Sequence, residues 1–470
     1  MTRIAIVGAG ISGLAAACAV EDYGYRNNLD LTTLVIEKQD RTGGKIWSIK
    51  EEGYLCEWGP NGFLDNKPAT LDFCRQLQID DRLLRSDDNA RKRYIYADKT
   101  LHRLPENGPS FLSSKLISWP GKLRLAGEVL VPRRHDATDE TLAEFGRRRL
   151  GREALDKLIS PMVSGIFAGD PETMSLKSCF PRIYELEQEY GGLLKAMVRL
   201  SRKKRADIKA GKAVSSAAGP GGILTSFTGG IQELTDAATD SLQGELISGQ
   251  EVVRIEAKSG GFLLHLSDGC CLDADIVITA SPSYAVATMI EEMNSPAAAL
   301  LRDIPYAPMN VVCFGYQRER IARDLDGFGY LIPRGEGCHT LGTLWDSSIF
   351  SNRAPQGQVL LRSMMGGATN SAAIELSDEE IGRRTEADLE RIMGITEAPE
   401  FVRIFRHPRA IPQYTRDHGG RLKALDQTLE GTPGLLLTGN AFSGVGINDC
   451  VNAATRVAQR AIKLAEERHG

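Results

Sequence analysis

Directly after the apolar, β-prone run Ile4-Ala5-Ile6-Val7 stands Gly8-Ala9-Gly10-Ile11-Ser12-Gly13, a Gly-x-Gly-x-x-Gly string. The chemistry such a string can do is to hold a pyrophosphate. The first glycine allows a tight turn, the second lets phosphate approach the backbone, and the third lets helix and strand pack closely. Phosphate oxygens would then meet the free N–H groups at the positive end of the following helix. A second group is Glu37, at the end of the run Leu31-Thr32-Thr33-Leu34-Val35-Ile36. A carboxylate there can accept both hydroxyl hydrogens of an adenosine ribose. It lies 24 residues beyond Gly13, and the polar insert Gly24-Tyr25-Arg26-Asn27-Asn28 accounts for the excess over the usual spacing. A glutamate in place of a cation disfavours a 2′-phosphate, so FAD or NAD is expected and NADP is not.

These groups need a strand, a turn, a helix and a second strand, a βαβ unit opening a nucleotide domain. The uncharged run Ile4–Val20 also has a signal-peptide reading, but three glycines in six positions make a poor hydrophobic centre. The 470 residues suit two or three domains. A 42% hydrophobic and 25% charged composition fits a soluble, core-forming protein. The net charge of −4 gives no reason to expect nucleic-acid binding. The nine cysteines are scattered, no Cys-x-x-Cys pair occurs and the seven histidines do not cluster, so no metal site is expected. Reduced core cysteines suit a cytoplasmic protein. No uncharged apolar stretch of about 20 residues follows the first motif, so no membrane span is expected.

Arg41-Thr42-Gly43-Gly44-Lys45 and Glu57-Trp58-Gly59-Pro60-Asn61-Gly62-Phe63 add two glycine-rich loops, more than a plain NAD domain needs. The double glycine after Glu37 and Lys38 resembles the flavin amine-oxidase superfamily. The Gly59–Gly62 loop is similar to that of its oxygen-dependent protoporphyrinogen oxidase branch. The resemblance implies non-covalent FAD, with Gly43 and Gly44 beside the diphosphate and Lys45 paired with phosphate. It puts Gly59, Pro60, Asn61 and Gly62 near the isoalloxazine and the backbone of Val252 against the adenine. The fold it implies is α/β plus α+β: a Rossmann-like FAD-binding domain, a substrate domain with a mixed β-sheet, and an inserted α-helical, membrane-associated domain.

The middle of the chain carries the substrate. Arg93, ahead of Tyr94-Ile95-Tyr96, reads either as a solvated arginine before a hairpin or as a carboxylate clamp. By resemblance it pairs with a tetrapyrrole propionate. Residues 105–180 read as helical, with Thr141-Leu142-Ala143-Glu144 a capping box. Phe111, Leu116, Ile117, Trp119, Leu123, Leu125 and Leu130 interleave there with Lys115, Lys122, Arg124, Arg133 and Arg134. That pattern suits an anionic membrane surface, or a helical core with a solvated basic face. Pro161–Asp170 reads as a glycine-rich helix end; by resemblance the Gly165 carbonyl faces the substrate pyrrole N–H groups. Residues 201–222, with Arg202-Lys203-Lys204-Arg205, Ser215-Ser216 and Gly219-Pro220-Gly221-Gly222, read as a basic connector. Phe328, Leu331 and Met364 read as core on composition alone, and by resemblance they wall the macrocycle. His407-Pro408-Arg409-Ala410-Ile411-Pro412-Gln413-Tyr414 also matches the branch, but no nearby carboxylate marks His407 as a base.

Near the C-terminus, Gly439-Asn440 ends an apolar run, and Val445-Gly446-Ile447 opens the final helix. By resemblance that helix end faces the flavin pyrimidine, where its dipole stabilises a reduced, anionic flavin. No cysteine lies between Gly439 and Ile447 to tether the cofactor. The expected division is 1–80, 223–280 and 411–470 for FAD; 81–104, 181–222 and 281–410 for substrate; and 105–180 for the helical unit.

The resemblance implies a six-electron oxidation of protoporphyrinogen IX to protoporphyrin IX in haem biosynthesis. Each of three steps passes a hydride to flavin N5, and dioxygen restores the flavin with release of hydrogen peroxide. It also implies peripheral attachment to the cytoplasmic face of the cell membrane, with a second copy of the chain and ferrochelatase as candidate partners. Rival readings are coproporphyrinogen III oxidation, a different superfamily substrate such as an amine or a carotenoid, and a non-enzymatic relative of the kind represented by Rab GDP-dissociation inhibitors.

Overall fold

The computed structural model describes residues 2–134, 138–209 and 222–469. Strand Thr2–Val7, helix Ile11–Asn27 and strand Leu31–Ile36 follow one another. They belong to a parallel five-stranded sheet in the order Glu245–Ile247, Leu31–Ile36, Thr2–Val7, Ile276–Thr279, Leu435–Leu437. Its strands are apolar on both faces because both are covered. One face carries Ile11–Asn27 and the last helix, Ile447–His469, packed through alanines such as Ala16, Ala454, Ala458 and Ala461. The other carries the antiparallel meander Val252–Lys258, Gly261–Leu266, Cys271–Ala274.

The second lobe is a seven-stranded mixed sheet. Its order is Phe401–Pro412, Tyr306–Gln317, Gln358–Gly366, Thr340–Leu344, Gly329–Leu331, Tyr94–Ala97, Thr100–Arg103. Only Gly329–Leu331 and Tyr94–Ala97 run parallel. Nearly every residue of Tyr306–Gln317 is buried, as a central strand covered on both faces requires.

Three segments depart from the expected division. Helices Ser283–Ile290 and Ser295–Arg302 pack Val286, Ile290 and Leu301 into the core beneath the meander, so the cofactor-side lobe extends past residue 280. Leu83–Arg85 pairs with Leu224–Phe227 in the small sheet that also holds Phe63–Leu64. The helical unit continues past residue 180 through Pro181–Tyr190 and Leu193–Lys209. The cause is electrostatic. Glu128 accepts the Leu193 and Leu194 N–H groups, and the fully buried Arg149 bonds Glu128 and Glu187, both at 2.8 Å. Breaking such a buried set by removing one partner costs about 3–5 kcal/mol.

Arg202, Lys203 and Arg205 therefore stand on a helix, not in the expected connector; Ser215, Ser216, Gly219, Pro220 and Gly221 lie outside the described residues. The capping box forms as read: Thr141 accepts the Glu144 N–H, and Glu144 accepts the Thr141 N–H. Two of the interleaved cations turn inward, against expectation. Lys122 is buried and donates to the Leu112 and Ser114 carbonyls, while Arg124 donates to those of Arg148 and Arg149. Lys115 and Arg133 remain exposed, as do Leu112, Trp119, Leu123 and Leu130. No helix among the described residues is long and apolar enough to cross a membrane.

Candidate active site

The phosphate-binding turn is built by contact. Gly13 lies so close to Gly8 that a Cβ would stand 1.9 Å from the Gly8 carbonyl oxygen, and Gly8 itself has φ +103°. Gly10 differs: a Cβ there would meet nothing within 4 Å. Gly10 is also the N-cap of Ile11–Asn27 and offers no side-chain cap. Free N–H groups thus face open space where an anion would satisfy them. Gly43 N–H bonds the Ala9 carbonyl at 2.8 Å, and Gly44 packs on Gly10, where its Cβ would lie 3.2 Å from the Gly10 Cα. Ile11 and Ser12 open the same helix.

The Glu37 carboxylate accepts Ala9 N–H at 2.7 Å and Gln39 N–H at 2.9 Å. It fixes the turn from the end of the second strand. Gln250 N–H bonds the Glu37 carbonyl, which sets Val252 beside this strand end. Lys38 is exposed, and its ammonium lies on Glu251 at 2.9 Å, so it faces a carboxylate. Lys45 also departs from expectation. Its ammonium donates to the carbonyls of Arg409 and Ala410, and burial lowers its pKa to about 8. Arg41, which sequence reasoning did not assign, braces the loop by donating to the Gly44 carbonyl at 2.7 Å and stacking on Trp47.

The Gly59–Gly62 loop is fixed from below. Arg362, buried and paired with Asp346 at 2.8 Å, donates to the Gly59 carbonyl at 2.9 Å. Glu57 is buried with Arg353 at 3.1 Å. Gly59 and Gly62 have no room for a Cβ, which would stand 2.3 Å from the Lys45 carbonyl oxygen and 2.4 Å from that of Thr225. Pro60 and Asn61 are half-buried between them, and the Asn61 Nδ2 is a buried donor without a partner. His407 bonds the Trp58 carbonyl at 2.9 Å, and burial lowers its pKa. It is a neutral support, in keeping with the absence of a marked base in the sequence.

Helix Ile447–His469 starts behind the turn Gly439–Gly446, in which Gly439 and Gly444 have φ +125° and +116°. Asn440 and Val445 lie in this turn; Gly446 caps it by accepting the Cys450 N–H. Cys450 is buried, its thiol pushed up to about 11. The open space at Gly10, the uncapped helix end and the orphaned Asn61 amide fit a dinucleotide laid from Glu37 to Ile447. Among the described residues, no cluster of His, Cys, Asp or Glu could hold a metal.

The Arg93 guanidinium lies 5.2 Å from the centre of the Phe328 ring, and no carboxylate among the described residues pairs with it. Arg93 is exposed, yet surrounding protein desolvates it enough to lower its pKa. Leu331 packs on Gly165, where a Cβ would lie 3.0 Å from its methyls. Leu331 pairs with Gly342, which pairs with Met364, so Leu331 and Met364 share a sheet face across a glycine gap. Gly165 lies in the last turn of helix Ser160–Phe167, and its carbonyl accepts no hydrogen bond from beyond the helix among the described residues. It is a free acceptor at the negative end of a helix.

The model of the flavin-containing amine oxidoreductases matches residues 11–462, and the chain belongs to that family. Family membership carries a flavin cofactor and oxidoreductase chemistry. Within the family, the chain is 32% identical over 460 residues to the coproporphyrinogen III oxidase of Bacillus subtilis (strain 168), covering 96% of each chain. It is likewise 32% identical over 468 residues to the chloroplastic protoporphyrinogen oxidase of Nicotiana tabacum, covering 96% of this chain and 84% of that one. A solved structure of a provisionally assigned protoporphyrinogen oxidase from Exiguobacterium sp. 255-15 superposes with TM-score 0.83 at 26% identity, covering 99% of each chain.

Proposed function

We propose that the chain binds FAD non-covalently and oxidises protoporphyrinogen IX to protoporphyrin IX with dioxygen as the final acceptor. The observation that carries this reading is Arg93, an arginine with no carboxylate partner among the described residues, whose guanidinium lies over the Phe328 ring at the start of Tyr94–Ala97, a strand of the same sheet as the wall formed by Leu331 and Met364. A flat, apolar macrocycle with peripheral carboxylates complements such a wall. Bound FAD would supply the two-electron acceptor that dioxygen regenerates. Glu37 and the N–H groups after Gly10 hold the adenosine and diphosphate ends. Arg93 takes one propionate as a planar fork and fixes the ring's orientation. The free Gly165 carbonyl accepts a pyrrole N–H and so polarises it without a titrating side chain. Leu331 and Met364 exclude water from the reacting face, which strengthens both polar contacts.

One observation favours a second substrate: the Bacillus subtilis relative is named a coproporphyrinogen III oxidase. Coproporphyrinogen carries four propionates. Here Lys92 and Arg334 are paired with Asp326 and Asp170, both at 2.9 Å, and Arg93 by itself suits a propionate of either substrate. The exposed Leu112, Trp119, Leu123 and Leu130, with Lys115 and Arg133 exposed in the same segment, support peripheral docking on a lipid surface through apolar insertion. The deciding experiment compares kcat/KM for the two porphyrinogens by porphyrin fluorescence, corrected for enzyme-free oxidation. A preference for protoporphyrinogen is expected; a strong preference for coproporphyrinogen overturns the choice of substrate.

A further inference from the structure

Two consecutive buried residues, Gln413 and Tyr414, reach in opposite directions. The Gln413 side chain donates from Nε2 to the Phe167 carbonyl at 2.8 Å. Phe167 ends the helix that carries Gly165, and Ala168 behind it turns into the left-handed region at φ +49°. The Tyr414 hydroxyl donates to the Asn440 carbonyl at 2.5 Å and accepts the Gly444 N–H at 2.8 Å. It therefore closes the turn ahead of the last helix. Its ring is locked on both sides, stacked on His418 with centroids 4.4 Å apart and tilted against Phe167 at 5.9 Å. The backbone is held too: Gln413 N–H bonds the Pro305 carbonyl, and the Tyr414 carbonyl accepts Ser175 N–H.

We propose that Gln413–Tyr414 is a strut joining the substrate-side helix end to the flavin-side turn, and that Tyr414 is a positioning residue for the flavin. This rests on the FAD reading above. One hydroxyl fixes both a carbonyl and an N–H of a turn that holds Gly439, Gly444 and Gly446. That sets the direction of the N–H groups at the start of Ile447–His469, and with it the field those groups apply to a reduced flavin. Gln413 holds the other end, where the helix terminus sets the height of the Gly165 carbonyl over the wall made by Leu331.

The test is Tyr414→Phe, which keeps the ring and its stacking and removes the hydroxyl. Two hydrogen bonds of about 1 kcal/mol each correspond to a rise in FAD Kd of roughly 10- to 30-fold. The flavin midpoint potential is expected to become more negative, because loosened N–H groups favour the reduced anion less. A lowered Tm with unchanged Kd and potential would reduce Tyr414 to a structural prop and overturn the proposal. Gln413→Leu is expected to raise KM for porphyrinogen while FAD Kd stays put; an unchanged KM removes the substrate end of the strut. Independently of any variant, slow hydrogen exchange at the Gly444 amide is expected in the wild-type apoprotein, and fast exchange there contradicts the hydroxyl contact. Wild-type protein that takes up no FAD would instead bring down the cofactor reading, and this is visible before any variant is made.

Discussion

Replacing Arg93 separates an anion clamp from a solvated surface arginine. A charge-assisted hydrogen bond at a partly desolvated site is worth about 1.5–3 kcal/mol. At 1.4 kcal/mol per tenfold, Arg93→Ala should raise KM for protoporphyrinogen roughly 10- to 150-fold. An exposed ion pair is worth about 0–1 kcal/mol, less than a fivefold change. Arg93 is exposed but desolvated and stacked on Phe328, which puts it in the first regime. No ion pair among the described residues is lost on substitution, so Tm should hold or rise and FAD content should not change. Arg93→Lys keeps the charge but loses the fork and should fall between wild type and alanine. The assay is initial-rate porphyrin fluorescence across substrate concentration, with flavin content measured on the same samples. A KM change below fivefold with full flavin content would refute the clamp.

Gly10→Val should give a folded but colourless protein, because its side chain enters space that only the cofactor needs; retained yellow colour would refute that. Gly13→Ala should instead destabilise the fold, by about 1–3 kcal/mol or more in thermal unfolding, because its Cβ has nowhere to go. His418 is held near pKa 4 by burial and the Arg421 guanidinium. Between pH 6.5 and 4 the unfolded chain binds a proton that the folded chain refuses, so stability falls on acidification through that window. The loss should reach about 3 kcal/mol at pH 4. His418→Phe should remove this component from the stability–pH curve, and an unaltered curve counts against it. Leu123→Glu with Leu130→Glu should reduce sedimentation with lipid vesicles, and unchanged sedimentation argues against apolar docking.

The parts legible in the sequence were those written in local spacing. The run Ile4–Gly13, the strand before Glu37 and the Thr141–Glu144 box each carry their own geometry, and each formed where it was read. Leu331 and Met364, by contrast, share a sheet face only through long-range register with Gly342 between them. Supports were illegible for the same reason. Arg362 reaches the Glu57 carbonyl across 305 positions, and Arg353 reaches the Glu57 carboxylate across 296. An arginine inside the apolar run Leu360–Met365 was the one local sign of such a contact. Lys45 misled because spacing fixes which loop a side chain stands on, not which oxygen it meets: the Arg409 and Ala410 carbonyls took its ammonium. Lys122 and Arg124 read as surface charge because helical periodicity does not show neighbouring carbonyls in need of donors.

The central claim is that a porphyrinogen held at Arg93 passes its electrons to flavin held at Gly10. It is tested most directly by mixing FAD-loaded protein with protoporphyrinogen IX without oxygen. Loss of the yellow flavin absorbance is expected together with the rise of porphyrin fluorescence, and return of the yellow colour when oxygen is admitted. Flavin that stays oxidised in the presence of excess protoporphyrinogen would contradict it.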